Sequence, residues 1–378
     1  MKDIHSPEHY PRRILLAVTG LSPQIVTETL YALAIQNRPP FVPTEIHLIT
    51  TSDGAKLARA ALLHQDGGQF HTLVSDYPVL REVDFTESSI HVIIDSNGDA
   101  LPDIRTPGQN ASAADAITAL VGELTRGEQS ALHVSIAGGR KTMGFYLGYA
   151  FSMFARPQDR LSHVLVSQPF ESHPDFFYPP KNPRRLSTRD GQHIDTGDAI
   201  VQLAEIPFVR LRHGLPENLV RGSATFSETV SALQRSFALP ELVIDMKEKK
   251  IHCGGIEVRL QPQMFAWYVW HAMRRLKTKG DDNFLHWRDI DPRDFMRIYR
   301  GVVGELSEAY EETASQLSGV HKDEEIMRIS QEKNAKINRI LREKLGSAAV
   351  RYLISSIDRK PYTRHGLSLD ASCITVYE

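Results

Sequence analysis

Residues 13–18, Arg-Ile-Leu-Leu-Ala-Val, carry an unbroken apolar run from Ile14 onward between Pro11 and Gly20, as expected of a strand buried on both faces. A helix start follows: Ser22 suits the N-cap, Pro23 the first helical position, and apolar residues from Ile25 to Ile35 recur at helical spacing. The strand–turn–helix pattern then repeats. Ile46 to Thr50 reads as a strand, Ser52-Asp53-Gly54 as a turn or cap, and Ala55 to Leu63 as a helix. Ile90 to Ile94 is a strand, Ala113 to Leu124 a helix closed by Gly127, and Leu132 to Ile136 a strand that enters Gly138-Gly139 and a further helix. Leu161 to Val166 adds one more strand. Strands alternating with helices over about 170 residues predict an α/β fold with a mostly parallel, doubly wound sheet.

The pattern changes between about 168 and 215. Pro169, Pro174, Pro179, Pro180 and Pro183 crowd a stretch that also holds Arg184, Arg185 and Arg189, which predicts a loop or extended arm over the surface. Pro207 to Leu215 completes a first domain, residues 1–215, and residues 216–378 form a second. There, Leu242 to Asp245 and Lys250 to Cys253 flank a charged turn, and Ile256 to Leu260 alternates like a half-exposed strand. Pro262 to Leu276 reads as an aromatic-rich amphipathic helix, a long charged helical tract runs from about Asp294 to Leu345, and Ile374 to Tyr377 returns to strand-like sequence.

With 378 residues and 41% hydrophobic content, each domain can hold its own core. Lys+Arg 44 against Asp+Glu 46 leaves the chain near neutrality, so a polyanionic partner must be met by a local basic cluster. Two cysteines, Cys253 and Cys373, are too few for a disulfide framework or a Cys-rich zinc site. No signal-peptide pattern opens the chain and no run of about 18 apolar residues occurs, so the expectation is a cytoplasmic protein without a membrane partner, metal or cofactor.

In an open parallel sheet, ligands bind outside the carboxyl ends of the strands. Two loops belong there: Thr19-Gly20-Leu21-Ser22-Pro23, and Ala137-Gly138-Gly139-Arg140-Lys141-Thr142. Each joins a buried strand to a helix N-terminus, where unpaired amides and the positive dipole end favour an anion such as phosphate. Gly138 and Gly139 permit close backbone approach, while Arg140 and Lys141 add full positive charge. Taken singly, Ser22 also reads as a plain N-cap, and Gly138-Gly139 as a tight turn before a solvated helix start. Neither loop carries G-x-x-x-x-G-K-[ST] or G-x-G-x-x-G, which disfavours ATP hydrolysis and nicotinamide binding. Asp103-Ile104-Arg105-Thr106 reads as a surface turn from which Arg105 could reach the same ligand.

The block Leu15-Leu16-Ala17-Val18-Thr19-Gly20-Leu21-Ser22-Pro23-Gln24-Ile25-Val26-Thr27-Glu28-Thr29-Leu30, together with His133-Val134-Ser135-Ile136-Ala137-Gly138-Gly139-Arg140-Lys141-Thr142-Met143-Gly144, resembles the CRISPR-associated Rossmann-fold (CARF) family, and within it the ring-nuclease-type branch. The likeness covers roughly residues 10 to 210. It implies a Rossmann-like domain and a homodimer whose two sites face each other around one cyclic oligoadenylate, usually cyclic tetra-adenylate. It also implies catalytic roles for Ser22 and Lys141, with Thr19, Gly20, Leu21, Gln24, Gly138, Gly139, Arg140, Thr142 and Arg105 around the ligand. The implied reaction is attack of a ribose 2′-hydroxyl on the adjacent phosphate without metal.

The second domain resembles a response-regulator type winged helix. Lys336 to Leu345 looks like its recognition helix and Tyr362 to Leu369 like the wing hairpin, with a helical insertion at about 291 to 330. On that likeness Lys336, Arg339, Arg342 and Lys344 could contact DNA or RNA phosphates; they also read as a solvated helix face. Arg359 and His365 match the loose R-x(4–6)-H spacing of HEPN ribonucleases, although Pro361 would break the helix that HEPN needs. Three readings therefore stand: a ring nuclease, a ring-gated DNA-binding regulator that does not cut, and a ring-activated ribonuclease.

Overall fold

Buried apolar runs and amphipathic segments assemble, in the computed structural model, into two compact units; residues 6–171, 173–188, 190–216, 219–220, 225–237, 239–318 and 322–377 are described. Arg189 lies outside them. The first unit comprises residues up to Arg212 together with Val220–Thr229, and the second His213–Leu219 together with Val230 onward.

The first unit is built on a six-stranded sheet in the order β3–β2–β1–β4–β5–β8. Its strands are β1 (Arg12–Val18), β2 (Glu45–Thr50), β3 (Ile90–Val92), β4 (Ser130–Ser135), β5 (Arg160–Val166) and β8 (Val201–Glu205), and the first five run parallel. Ile14 to Val18 are completely buried, the consequence of an apolar run covered on both faces, while Arg12 at the strand's start is exposed. Helices α1 (Gln24–Tyr31), α2 (Ser52–Ala58), α3 (Gln69–Asp76), α4 (Pro107–Leu124) and α5 (Lys141–Phe154) cover the sheet, and α1 and α2 each run on into a short π-helical turn.

Several boundaries depart from the sequence reading, each for a local reason. Thr19 Oγ1 donates to the Ser22 carbonyl (2.8 Å), so the loop closes there, and Pro23 rather than Ser22 takes the cap of α1. Thr51 caps α2, its hydroxyl accepting from the Gly54 amide, one residue before the expected turn. Helix α4 starts at Pro107, well before Ala113, because Thr106 and Gln109 form a capping box. The proline-rich stretch is more than an arm: β6 (Arg185–Ser187) and β7 (His193–Asp195) form a hairpin, and β8 closes the sheet edge antiparallel to β5. Helix α6 (Phe226–Phe237) follows.

The second unit holds a sheet in the order β11–β10–β9–β14, from β9 (Leu242–Asp245), β10 (Lys250–Cys253), β11 (Ile256–Val258) and β14 (Ile374–Tyr377), with β14 parallel to β9. Helix α7 (Pro262–Lys277) buries Phe265, Trp267 and Tyr268 completely in this unit's core. The charged tract is not continuous. It divides into α8 (Pro292–Val303), α9 (Glu308–Ser318) and α10 (Lys322–Leu345), the first break falling at Gly304, whose φ of 86° only glycine adopts without strain. A hairpin of β12 (Ile354–Ile357) and β13 (Arg364–Leu367) follows, with Tyr362 in its turn.

Candidate functional site

The crossover from β1 leads to β2 on one side of the sheet, and that from β4 leads to β5 on the other. β1 and β4 are neighbours, so their carboxyl ends frame the switch point at which open α/β sheets leave a crevice. A cleft of ≈ 450 Å³ lies there, lined by both glycine-bearing loops, by Thr51 and Asp53 at the start of α2, and by the turn before α4.

Glycines bring the two loops together. A Cβ on Gly20 would sit 3.5 Å from the Gly139 Cα, so the two backbones meet in van der Waals contact. A Cβ on Gly138 would lie 2.7 Å from the Val18 carbonyl oxygen, and Gly139 has a φ of 79°. Arg140 then takes the N-cap of α5 in extended conformation without a capping bond of its own. Met143 N–H already donates to the Arg140 carbonyl (2.8 Å), so the Lys141 and Thr142 amides form the open end of this 14-residue helix, where the dipole favours an anion.

Of the residues singled out in the sequence, Gly20, Leu21, Ser22, Gly138, Gly139, Arg140 and Arg105 line the cleft. Lys141 and Thr142 are exposed in the first turn of α5, beside the cleft lining and not within it. Two expected ligand contacts point elsewhere. Thr19 is buried with its hydroxyl committed to the Ser22 carbonyl, and Gln24 Nε2 donates to the Pro174 carbonyl (3.4 Å).

The segment read as a surface turn contributes a cleft wall. Asp103 accepts from Arg140 Nε at its Oδ1 (2.8 Å) and from Arg140 Nη2 at its Oδ2, which also takes a bond from Arg105 Nε (3.0 Å). The two guanidinium groups, Arg140 first, hold the Asp103 carboxyl well below the usual carboxylate range, and Asp103 in turn raises Arg140. Asp53 also lines the cleft and pairs with Lys56 (3.1 Å). The lining thus carries two carboxylates, Asp53 and Asp103, against two guanidiniums, where the sequence pointed only to the positive charge of Arg140 and Lys141. Nothing in the sequence spacing linked Asp103 to Arg140, because they are 37 positions apart.

In the second unit, Lys336 pairs with Glu332 (3.7 Å) and Arg339 with Glu343 (3.5 Å), both within α10. Arg342 and Lys344 are exposed, and two positions of helix separate them by about 160° around the axis. The four cations therefore do not share one face. Arg359 lies in the β12–β13 turn and His365 on β13, so neither stands on a helix as an HEPN pair requires. Among the described residues, no cluster of three or more His, Cys, Asp or Glu side chains could hold a metal ion, and no helix is long and apolar enough to cross a membrane.

Residues 22–239 match the family described as CRISPR-associated protein NE0113. No curated protein matches the chain. Solved structures do, among them a type III CRISPR defence DNA nuclease activated by cyclic oligoadenylate, at 14% identity and a TM-score of 0.23. That match covers 88% of this chain and only 35% of the nuclease. Enterococcus italicus Csm6 bound to cyclic hexa-2′-fluoro-hexa-dAMP matches at 10% identity and a TM-score of 0.28, covering 88% of this chain and 95% of Csm6. Likeness this distant carries no argument about the site, whereas the family match spans more than half of the chain: the protein belongs to the CRISPR-associated protein NE0113 family.

Proposed function

We propose that the first unit is a CARF domain that binds a cyclic oligoadenylate, cyclic tetra-adenylate in the first instance, and linearises it in the cytoplasm to switch off a type III antiviral signal. The observation that carries this reading is the contact between Gly20 and Gly139, which puts Ser22 and the open N-terminus of α5 around one crevice. A ring of several nucleotides exceeds what a cleft of ≈ 450 Å³ encloses, so a homodimer would set two clefts against one ring. The exposed Leu21 and Phe145, both close to the cleft in sequence, suit such a partner.

In this reaction a ribose 2′-oxygen attacks the adjacent phosphorus in line and the 5′-oxygen leaves, giving a 2′,3′-cyclic phosphate and a free 5′-hydroxyl. Ser22 and the first amides of α5 would orient the scissile phosphate, and Lys141, reaching in from the rim, would neutralise charge on the phosphorane. The Asp103–Arg140 pair favours a second reading, in which the ring is held without being cut and the second unit acts as a ring-gated regulator that binds nucleic acid. Radiolabelled cyclic tetra-adenylate incubated with the protein in EDTA separates the two. Linear product lost in both Ser22→Ala and Lys141→Ala supports cleavage, intact ring in a stable complex supports sensing, and no uptake of any adenylate ring removes both.

A further inference from the structure

One charged group of the first unit's cleft has no part in the reaction proposed for it: the carboxylate of Asp53. Asp53 is the second residue of α2, the helix that follows β2. Two hydrogen bonds and one close approach fix where that helix begins. Thr50 Oγ1 donates to the Thr19 carbonyl (2.7 Å), and the Ser52 N–H donates to the Leu101 carbonyl (2.8 Å). A Cβ on Gly54 would lie 2.6 Å from the Gly20 carbonyl oxygen, so the missing side chain lets the first turn of α2 rest on the β1 loop. Asp53 is thereby held in the cleft lining, beside the loop that carries Ser22 and the wall that carries Asp103.

The two carboxylates of the lining differ in what they have left to accept. Asp103 takes guanidinium donors at both oxygens. Asp53 Oδ1 is bonded to Lys56 Nζ (3.1 Å), with the Lys56 and Asp53 side chains 74% and 51% exposed, and an ion pair so open to solvent engages a carboxylate weakly. Among the described residues its Oδ2 accepts no hydrogen bond. A carboxylate in that state opposes a polyanionic ligand unless the ligand brings a donor to it. A cyclic oligoadenylate carries such a donor, a ribose 2′-hydroxyl, beside every phosphate. In α/β sheets that bind nucleotides, the phosphate lies at a glycine-bearing strand–helix turn and a carboxylate further along the chain accepts from the ribose. Asp53, three positions past the end of β2, stands at such a place relative to the β1 loop.

We infer that the Asp53 carboxylate accepts a hydrogen bond from a ribose 2′-hydroxyl of the bound ring, so that the cleft selects ribonucleotide rings over 2′-deoxy rings. The inference rests on the function proposed for the first unit, and it adds a specificity-determining residue to Ser22 and Lys141. A phosphate at the Gly138–Gly139 turn and a sugar at Asp53 are neighbouring parts of one nucleotide, and both elements line the same cleft. A bond to a charged acceptor is stronger than one between neutral groups, and it is lost outright with a 2′-deoxy sugar.

The test uses the full-length protein and two radiolabelled probes, cyclic tetra-adenylate and cyclic tetra-deoxyadenylate, in filter binding on ice within seconds of mixing. The wild type should prefer the ribo ring by about tenfold. Asp53→Ala should bring the two affinities to within about twofold of each other by weakening the ribo ring alone, a selective loss that a merely structural role would not produce. Asp53→Asn has the same shape but offers a neutral acceptor, so it should keep a preference of about threefold. No ribo preference in the wild type, a preference unmoved by Asp53→Ala, or an equal loss for both rings overturns the assignment while ring binding stands. Wild-type protein that takes up neither ring overturns the assignment and the proposed function together. Should Asp53→Ala fail to fold, Asp53→Asn decides, and an undiminished preference there overturns the assignment.

Discussion

The two units each present a concave site, built on opposite electrostatic plans. In the cleft of the first, Asp103 pairs with both guanidiniums of the lining while Asp53 pairs with Lys56, whereas a groove of ≈ 740 Å³ in the second, between α10 and the β12–β13 hairpin, has no acidic lining residue. An anion entering the first must exchange with a carboxylate. A ligand entering the second meets no carboxylate in its lining.

The same contrast runs through the buried titratable groups. Burial holds His133 of the first unit and His271 of the second each down at about 3; His133 shares a hydrogen bond with Ser162 (2.7 Å), and His271 has the Asn334 side chain beside it. The first unit alone adds Glu28, pushed up to about 8 by burial, with Glu171 nearby contributing. The signs follow from linkage. A histidine lowered from 6.5 contributes stability that is complete above 6.5 and is lost as the pH falls toward 3; a carboxyl raised from 4.5 leaves stability complete below 4.5 and lost as the pH climbs through 8.

The largest effect that would break the comparison is therefore a rise of pH from about 4.5 to 8. Hydrogen exchange resolved by unit should show the first unit loosening over that window and Glu28→Gln abolishing that loss, up to about 5 kcal/mol at 1.36 kcal/mol per pH unit. Both units should loosen as the pH falls below about 6. A loss between pH 4.5 and 8 that survives Glu28→Gln would separate burial from titration at this site. Next in size is Gly138→Ala, whose methyl meets the Val18 carbonyl oxygen: it should cost about 1–3 kcal/mol in thermal unfolding and remove ring binding, because the loops can no longer close on each other. The smallest effect sharpens the comparison most. Asp103→Asn releases Arg140 and Arg105, so adenylate-ring affinity should rise by about threefold to tenfold with a steeper salt dependence in calorimetry. Unchanged affinity would mean that the ion pair does not compete with the ligand.

Local chemistry made the first unit's layout readable. The all-apolar run at β1, the recurring helix starts and the two glycine-bearing turns each state their structure within a few neighbours. Missed features have specific causes. The capping box at Thr106 and Gln109 is a local signal three residues apart in the sequence, while β8 is hidden by the proline crowding before it. In the second unit a continuous charged pattern concealed the break at Gly304, since surface polarity is the same on either side of it.

What the chain by itself determined is the alternation of strands and helices, and with it the crevice at the carboxyl ends of β1 and β4, because periodicity and turn chemistry act between near neighbours. Only tertiary structure decided that Asp103 neutralises Arg140, that Gln24 turns away from the cleft, and that Asn334 and His365 border one groove. Those outcomes depend on crossover geometry and on which buried atoms happen to find a partner, and no local pattern encodes distances between residues that lie tens of positions apart.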